Sequence, residues 1–398
     1  MTTTVTQCAV LAGGLGTPTA ALPCGDRPFL GWLLREFVRF GVTEFVLLTG
    51  HLSAEIERAV ADIQASLPVR VGITLSEAPM RAGTGGAVYH ARELLHDRFL
   101  LCNGDSLFDT NISALLADAA ADSPDGVGRV VLRQLDGASR YGTVTLEGDR
   151  ITAFREPPPA GTSGTVNAGI YLFRKSLIGH LRPSCSLEAG VLPALARDGL
   201  LRGTLGTGSF RDLGVPEDFA RAQTEIPALL RRRALFLDRD GVLNVDHGYV
   251  GCRERFEWTE GAKQAIRHAT SAGWHVFIVT NQSGVARGLY DEDAVRALLG
   301  WIADEARASG GTIDDARYCP YHPDGTDDAY RRAHPWRKPE PGMLLDLIRC
   351  WDLDPARAIM IGDQESDMRA AADAGVTGYL FQEKNLLAFL QRVMEKDA

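Results

Sequence analysis

The sequence predicts an α/β protein of two successive units, the first built on a mixed sheet and the second on a doubly wound parallel sheet. Three observations carry that expectation. The chain has 398 residues, more than one compact domain usually holds. Short apolar runs ending in glycine or aspartate alternate with segments of helical periodicity along both halves. A polar break with the consecutive arginines Arg231, Arg232 and Arg233 interrupts the pattern and puts the units at 1–226 and 232–398.

Each element follows from its own pattern. QCAVLAGGLG reads as a buried strand ending in a glycine turn. The segment after it carries Phe29, Leu30, Leu33, Leu34, Phe37 and Val38 at helical spacing. EFVLLTG is a strand, SAEIERAVADI a helix and RFLLCNGD another strand. From about Gly128 to Phe173, short strands separated by turn residues predict an antiparallel addition to the sheet. PEDFARAQTEI closes the unit as a helix ending near Ile226. The second half repeats the alternation with ALFLDRD, HVFIVTN, a long helix from about Glu292 to Ala308, DARYC, a helix from Gly342, AIMIGD, a helix through Met368, and TGYLF. A polar, proline-rich loop runs from Cys319 to Pro341, and connections of that length usually carry function.

Composition narrows the function classes. A net charge of −9 argues against a broad basic face, so a nucleic-acid partner is not expected, and any anion site must be local. No apolar run approaches the ~18 residues of a membrane span, and the start lacks a basic segment leading into an apolar one. The cysteines number seven, odd and scattered, which reads as reduced thiols in a cytoplasmic protein.

In the second half, four elements stand at predicted strand ends, where α/β folds place their chemistry. FLDRDGVLN sets Asp238 and Asp240 two residues apart, so one carboxylate can attack phosphorus while the other gives and takes the proton. Thr280 in VTNQSG can donate to a phosphoryl oxygen. Lys338 in RKPEPG can neutralise the attacking carboxylate and the phosphoryl group, with Arg337 beside it for a more distal anion. Asp363 in MIGDQESD completes a Mg²⁺ site with Asp238 and the backbone carbonyl of Asp240, and Asp367 lies in the outer sphere.

Asp238, Thr280, Lys338 and Asp363 match the four motifs of the haloacid-dehalogenase-like phosphatases. DRDGVLNVDHGYV, TNQSGVARG, CPYHP, RKPEPGM and IGDQESDM, within about residues 234–382, resemble the branch that acts on D-glycero-D-manno-heptose 1,7-bisphosphate, with the histidinol-phosphate phosphatases as its sibling. The resemblance implies an aspartyl-phosphate on Asp238 and Asp240 as general acid and base. It also implies substrate contacts from Asp246, His247, Gly248, Tyr249, Asn281, Gln282, Ser283, Arg337 and Lys338. Two departures stand out. Where that branch carries zinc ligands, this chain has Cys319, Tyr321, His334 and Trp336, with His322 next door. Tyr and Trp are not zinc donors, so structural zinc is expected to be absent or atypical, and the loop to be held by packing of Tyr321 and Trp336. Gln364 replaces the lysine that follows the metal aspartate.

In the first half, Gly13, Gly14 and Gly16 follow a strand and can turn backbone N–H groups toward phosphates. A second glycine turn, containing Gly85, opens a helix. Asp105 in NGDS and Asp212 in FRDLG could hold a Mg²⁺ that bridges nucleotide phosphates. Over residues 7–225 these motifs resemble the sugar-1-phosphate nucleotidyltransferases, a Rossmann-like fold, and most of all their mannose- and heptose-1-phosphate guanylyltransferases. The resemblance implies a sugar phosphate and GTP or another NTP as small-molecule partners.

Several of that family's cations are missing. Pro18 stands at the arginine of GGxGTRL, the segment with the PKP lysine is deleted, and Pro157 replaces the lysine of FxEKP. Arg27, Arg81 and Arg155 are the nearby replacements. Each lost donor of this kind typically costs ~10²–10³ in rate. The leading expectation is therefore a Mg²⁺-dependent heptose-bisphosphate phosphatase fused to a guanylyltransferase-like unit. The alternative is a phosphatase for heptose bisphosphate or histidinol phosphate whose first unit is a non-catalytic binding or oligomerising module.

Overall fold

The computed structural model describes residues 5–13, 22–50, 53–214 and 216–396. The chain packs as two units, Met1–Leu230 and Arg231–Ala398. Among the described residues no helix is long and apolar enough to cross a membrane.

The first unit opens with β1 (Gln7–Leu11), α1 (Phe29–Arg39), β2 (Glu44–Thr49), α2 (Ser53–Ser66), β3 (Gly72–Glu77), α3 (Gly83–His90) and β4 (Arg98–Asn103). These four strands are parallel in the order β3-β2-β1-β4. The short β5 (Ser106–Phe108) follows. Then come β6 (Gly128–Leu135), β7 (Thr143–Glu147), β8 (Arg150–Arg155), β9 (Gly164–Arg174), α4 (Leu192–Arg197), β10 (Leu201–Gly206), β11 (Phe210–Asp212) and α5 (Pro216–Leu230). They extend the sheet to nine strands in the order β3-β2-β1-β4-β9-β6-β10-β8-β7.

The expected antiparallel addition is present, since β9 runs against both β4 and β6. β10, however, pairs with β6 in parallel, so the addition is itself mixed. α5 also runs past Ile226 to Leu230, with Pro227 inside it. Burial of Ile226 and Leu230 and seating of the Pro227 ring against Gly25 carry the helix through a residue that usually ends one.

The second unit is a five-stranded sheet in the order β14-β13-β12-β15-β16, all parallel: β12 (Ala234–Leu237), β13 (His275–Asn281), β14 (Asp315–Cys319), β15 (Ala358–Gly362) and β16 (Thr377–Leu380). α6 (Ala262–Ser271), α7 (Glu292–Ala308), α8 (Gly342–Trp351), α9 (Glu365–Asp373) and α10 (Leu386–Lys396) connect and flank the strands. Leu235, Phe236, Leu237, Val276, Phe277 and Ile278 are fully buried, as expected of strands covered on both faces. The carboxyl ends of β12, β13 and β15 therefore present Asp238, Thr280 and Asp363 at one edge of the sheet.

Candidate active sites

At that edge of the second unit, the chain leaves β12 with Asp238 almost buried and its N–H bonded to Ile361 O on β15 at 3.0 Å. One turn residue is dictated by geometry. Gly241 has φ +83° and lies so close to Asp363 that a Cβ would stand 2.3 Å from Oδ2, so only glycine fits.

Lys338 is the charge centre. Its Nζ lies 2.8 Å from Asp238 Oδ1 and 2.6 Å from Asp367 Oδ1, and donates to Val279 O at 2.9 Å. Its backbone is clamped to β13 in both directions, Asn281 Nδ2 to Lys338 O and Lys338 N to Asn281 Oδ1. Burial opposes the ammonium charge, but the Asp238 and Asp367 carboxylates outweigh it and hold Lys338 above its usual range. Burial pushes the Asp238 carboxyl up to about 7, against the attraction of Lys338.

Asp238, Asp363 and Asp367 each offer one carboxylate oxygen, all within 4.8 Å of one another. Asp363 Oδ2 accepts from Gln364 Nε2 at 2.8 Å, whereas Oδ1 is buried with no hydrogen-bond partner. Burial raises the Asp363 carboxyl. An all-oxygen donor set with one orphaned buried carboxylate oxygen suits a hard divalent cation. Asp367, expected in the outer sphere, is nearly fully buried within the cluster, and its Oδ2 also accepts the Gln364 N–H as part of the α9 cap.

The Asp240 carboxylate turns away from that cluster. It accepts from Arg239 Nη2 at 2.8 and 2.7 Å, from Asn244 Nδ2 at 3.1 Å and from Gln282 Nε2 at 3.0 Å. Arg239 is fully buried and also donates to Val250 O, tying this carboxylate to the loop that follows Tyr249. The sequence reading passed over Arg239, although an arginine between two strand-end aspartates was the available signal.

The remaining expected contacts divide. Tyr249 is 45% exposed, faces the Arg287 guanidinium at 5.8 Å, and lies in the electrostatic reach of Arg337. Burial lowers Arg337, and Arg287 adds to that. Arg287 is thus a second cation that the sequence reading missed. Gly248 and Tyr249 take left-handed backbone, and Arg255 donates to the carbonyls of His247, Gly248 and Tyr249. Asp246 bonds within its own turn and His247 bonds Glu257, so neither is drawn to Asp238 by a hydrogen bond. Ser283 is half-buried after the Gln282 turn. Gln282, expected to touch substrate, is 1% exposed and directed inward to Thr280 and Asp240, because its carboxamide completes their hydrogen bonds.

In the long loop, Tyr321 stacks on His334 with centroids 4.4 Å apart, Arg332 lies over Tyr321 at 4.1 Å, and Trp336 packs edge-on to His334. Nδ1 of His322 and of His334 accept backbone N–H groups of Asp324 and Trp336. Cys319 is buried, which raises its thiol.

In the first unit, pairing of β5 with β11 sets Ser106 opposite Asp212 and so brings Asp105 and Asp212 together. Both line a cavity of about 550 Å³ that also carries Tyr141, Glu156 and Glu188. Burial, then Asp212, raises Asp105. Asp212 Oδ2 accepts from Tyr141 at 3.0 Å and Oδ1 from Gly214 N at 2.9 Å. Among the described residues lining this cavity, Arg155 is the only lysine or arginine. Arg81 lines a second cavity of about 420 Å³ with Gly13, Thr49 and Thr84, while Arg27 lies over Trp32.

Gly14 and Gly16, with Pro18, lie outside the described residues. Gly13 approaches Gly50 closely. Gly85, in the second glycine turn and expected at the nucleotide site, donates its N–H to Cys185 O at 3.0 Å, and a Cβ there would stand 2.6 Å from Cys185 Sγ. Its glycine is required for packing, and that N–H is already engaged.

A family model described as Nucleotidyl transferase matches residues 10–228, more than half of the chain, and one described as HAD-hydrolase-like matches residues 335–383. The D-glycero-beta-D-manno-heptose-1,7-bisphosphate 7-phosphatase of Rhodopseudomonas palustris is 52% identical over 164 residues, 41% of this chain and 91% of that protein. The chain belongs to the nucleotidyl transferase family and, by its second unit, to the heptose-bisphosphate phosphatases. In the latter family, the D-glycero-alpha-D-manno-heptose-1,7-bisphosphate 7-phosphatase of Burkholderia mallei is 40% identical over 147 residues, 37% of this chain and 78% of that protein. The crystal structure of HddC from Yersinia pseudotuberculosis is 23% identical, with a TM-score of 0.49, and covers 55% of this chain and 98% of its own. This chain is accordingly a phosphatase unit fused to a nucleotidyl transferase unit.

Proposed function

We propose that the second unit removes the 7-phosphate of D-glycero-D-manno-heptose 1,7-bisphosphate through an aspartyl-phosphate on Asp238. The observation that supports this most is the pairing of Asp238 with buried Lys338 beside the open oxygen of Asp363. Asp238 attacks phosphorus, the bond from phosphorus to the sugar oxygen breaks, and Asp240 gives its proton to that oxygen. Asp240 then takes a proton from water as the water oxygen attacks phosphorus, the Asp238–phosphorus bond breaks, and inorganic phosphate leaves. Thr280 and Lys338 stabilise the phosphoryl charge in both steps. Asp238, Asp363 and the backbone carbonyl of Asp240 would hold Mg²⁺, with Asp367 behind them, and the bound cation would neutralise phosphoryl oxygens. Arg287, which faces Tyr249, and Arg337, within electrostatic reach of both, are suited to the second phosphate. Seven unpaired thiols favour a cytoplasmic site of action.

For the first unit, transfer of a nucleotidyl group from GTP or another NTP to a sugar 1-phosphate, with Asp105 and Asp212 holding Mg²⁺, is supported by its family and its cavity. A second reading, a unit that binds its ligand or oligomerises without transferring, is supported by the poverty of cations. Carboxylates outnumber Arg155 in the cavity, and residues 14–21 contain neither lysine nor arginine.

Phosphorus NMR of the whole chain with Mg²⁺, GTP and either anomer of heptose 1,7-bisphosphate tests both units. Inorganic phosphate is expected from the parent and none from Asp238→Asn; turnover by Asp238→Asn would overturn the covalent mechanism. Pyrophosphate that vanishes in Asp105→Ala would establish transfer, whereas phosphate without pyrophosphate would leave the binding reading.

A further inference from the structure

Tyr290 lies outside every motif named above, yet its hydroxyl reaches Gln282 Oε1 at 2.9 Å. The same carboxamide donates from Nε2 to Thr280 Oγ1 at 2.8 Å and to Asp240 Oδ2 at 3.0 Å. The directions of these bonds follow from chemistry. Asp240 Oδ2 also accepts from Arg239 Nη2, so it is an acceptor here and the end of Gln282 that faces it is the NH₂. Its carbonyl oxygen then faces Tyr290, whose hydroxyl must be the donor. Because Thr280 Oγ accepts from the NH₂, its own hydrogen is left to be donated elsewhere, and the phosphoryl group is where a donor is required.

The ring is built into place. A Cβ on Gly251 would stand 2.3 Å from Tyr290 Cδ1, and one on Gly284 would stand 2.2 Å from Cζ, so both positions must be glycine for the ring to sit where it does. Burial pushes the Tyr290 phenol up to about 12, so it remains a donor through any ordinary assay range.

We propose that Tyr290 is a positioning residue for the phosphatase reaction, which locks the Gln282 carboxamide and thereby fixes Thr280 as a hydrogen-bond donor and the Asp240 carboxylate in its resting orientation. This rests on the phosphatase reading of the second unit. Gln282 serves as the link that orients both groups and Tyr290 as its anchor. Gly251 and Gly284 form the seat of the anchor.

The test is a double-mutant cycle in the full chain with Mg²⁺ and heptose 1,7-bisphosphate, following kcat, KM and thermal midpoint. Tyr290→Phe keeps the ring and removes only the donor. It is expected to lower kcat about 3- to 10-fold, the range of one hydrogen bond, with KM within about twofold and the midpoint lowered by only a few degrees. In a Gln282→Ala background, which leaves the ring and its seat intact, Tyr290→Phe should have no further effect. An active parent whose kcat is untouched by Tyr290→Phe would overturn the proposal, as would full additivity of the two substitutions. Should Tyr290→Phe fail to fold, Gln282→Ala alone decides, and parental kcat in that variant overturns the link. A parent without phosphatase activity would instead defeat the reading on which the proposal rests.

Discussion

Lys338 Nζ lies 2.8 Å from Asp238 Oδ1 with both side chains buried, and the same ammonium holds Asp367 Oδ1 at 2.6 Å. Removing the cation would leave two carboxylates facing each other out of water. Lys338→Met is therefore expected to destabilise the second unit by about 3–5 kcal/mol and to reduce phosphate release by at least ~10²-fold. Adding Asp367→Asn should recover part of the stability and none of the activity. Urea denaturation and phosphate release measured on both variants check this, and a fully stable Lys338→Met would refute the charge balance.

Gly241 is held at φ +83° against Asp363 Oδ2. Gly241→Ala adds left-handed strain of about 1–2 kcal/mol and an overlap worth about 1–3 kcal/mol more. It should also displace Asp363 and raise the Mg²⁺ concentration needed for half-maximal activity. Parental stability together with parental cation dependence would show that the approach is not tight.

How far these relationships could be read from the sequence depended on how local their causes are. β12, β13 and β15 are largely apolar runs that lead into Asp238, Thr280 and Asp363, so both the parallel sheet and its reactive edge are legible. Asp238 with Lys338 was legible as motif chemistry. β3 is a partly exposed edge strand and β10 is interrupted by Gly203 and Gly206, so neither shows a clear strand pattern in the sequence. A Cβ at Gly203 would meet Leu132 Cδ1 at 2.6 Å, so the strand takes a larger residue there only if Leu132 shifts. The family resemblance implies a substrate contact at Gln282, whereas its inward turn is set by Tyr290, eight residues on and packed between two glycines. Tertiary partners of this kind leave no periodic trace.

Gln364 donates to Asp363 Oδ2 at 2.8 Å as a neutral amide. A lysine at this position places a cation beside that carboxylate. Gln364→Lys is expected to raise the Mg²⁺ concentration for half-maximal activity about 3- to 10-fold, by repulsion of one unit charge, while lowering KM for the anionic substrate. Titrating phosphate release against Mg²⁺ and against substrate separates the two effects. A variant with tighter Mg²⁺ dependence would contradict the placement of Asp363 in the cation site.

The loop from Cys319 to Pro341 should loosen in mild acid. Burial lowers His322, with Arg337 and Arg287 adding to it, and burial followed by Arg332 lowers His334. Each imidazole therefore binds its proton less readily in the folded protein than at its unfolded value of about 6.5. Near that pH the unfolded chain holds more protons, so this contribution to stability is fully present above about 6.5 and is lost as pH falls through the lower folded values. Both rings are partly exposed and solvent moderates the effect. A proton on either ring would also replace the acceptor that its Nδ1 offers to Asp324 or Trp336. Hydrogen exchange of this loop should accelerate between pH 7.5 and 5.5 relative to α7, after correction for intrinsic rates. In the His322→Gln, His334→Gln double variant that pH dependence should flatten. An unchanged pH dependence in the double variant would show that neither imidazole holds the loop.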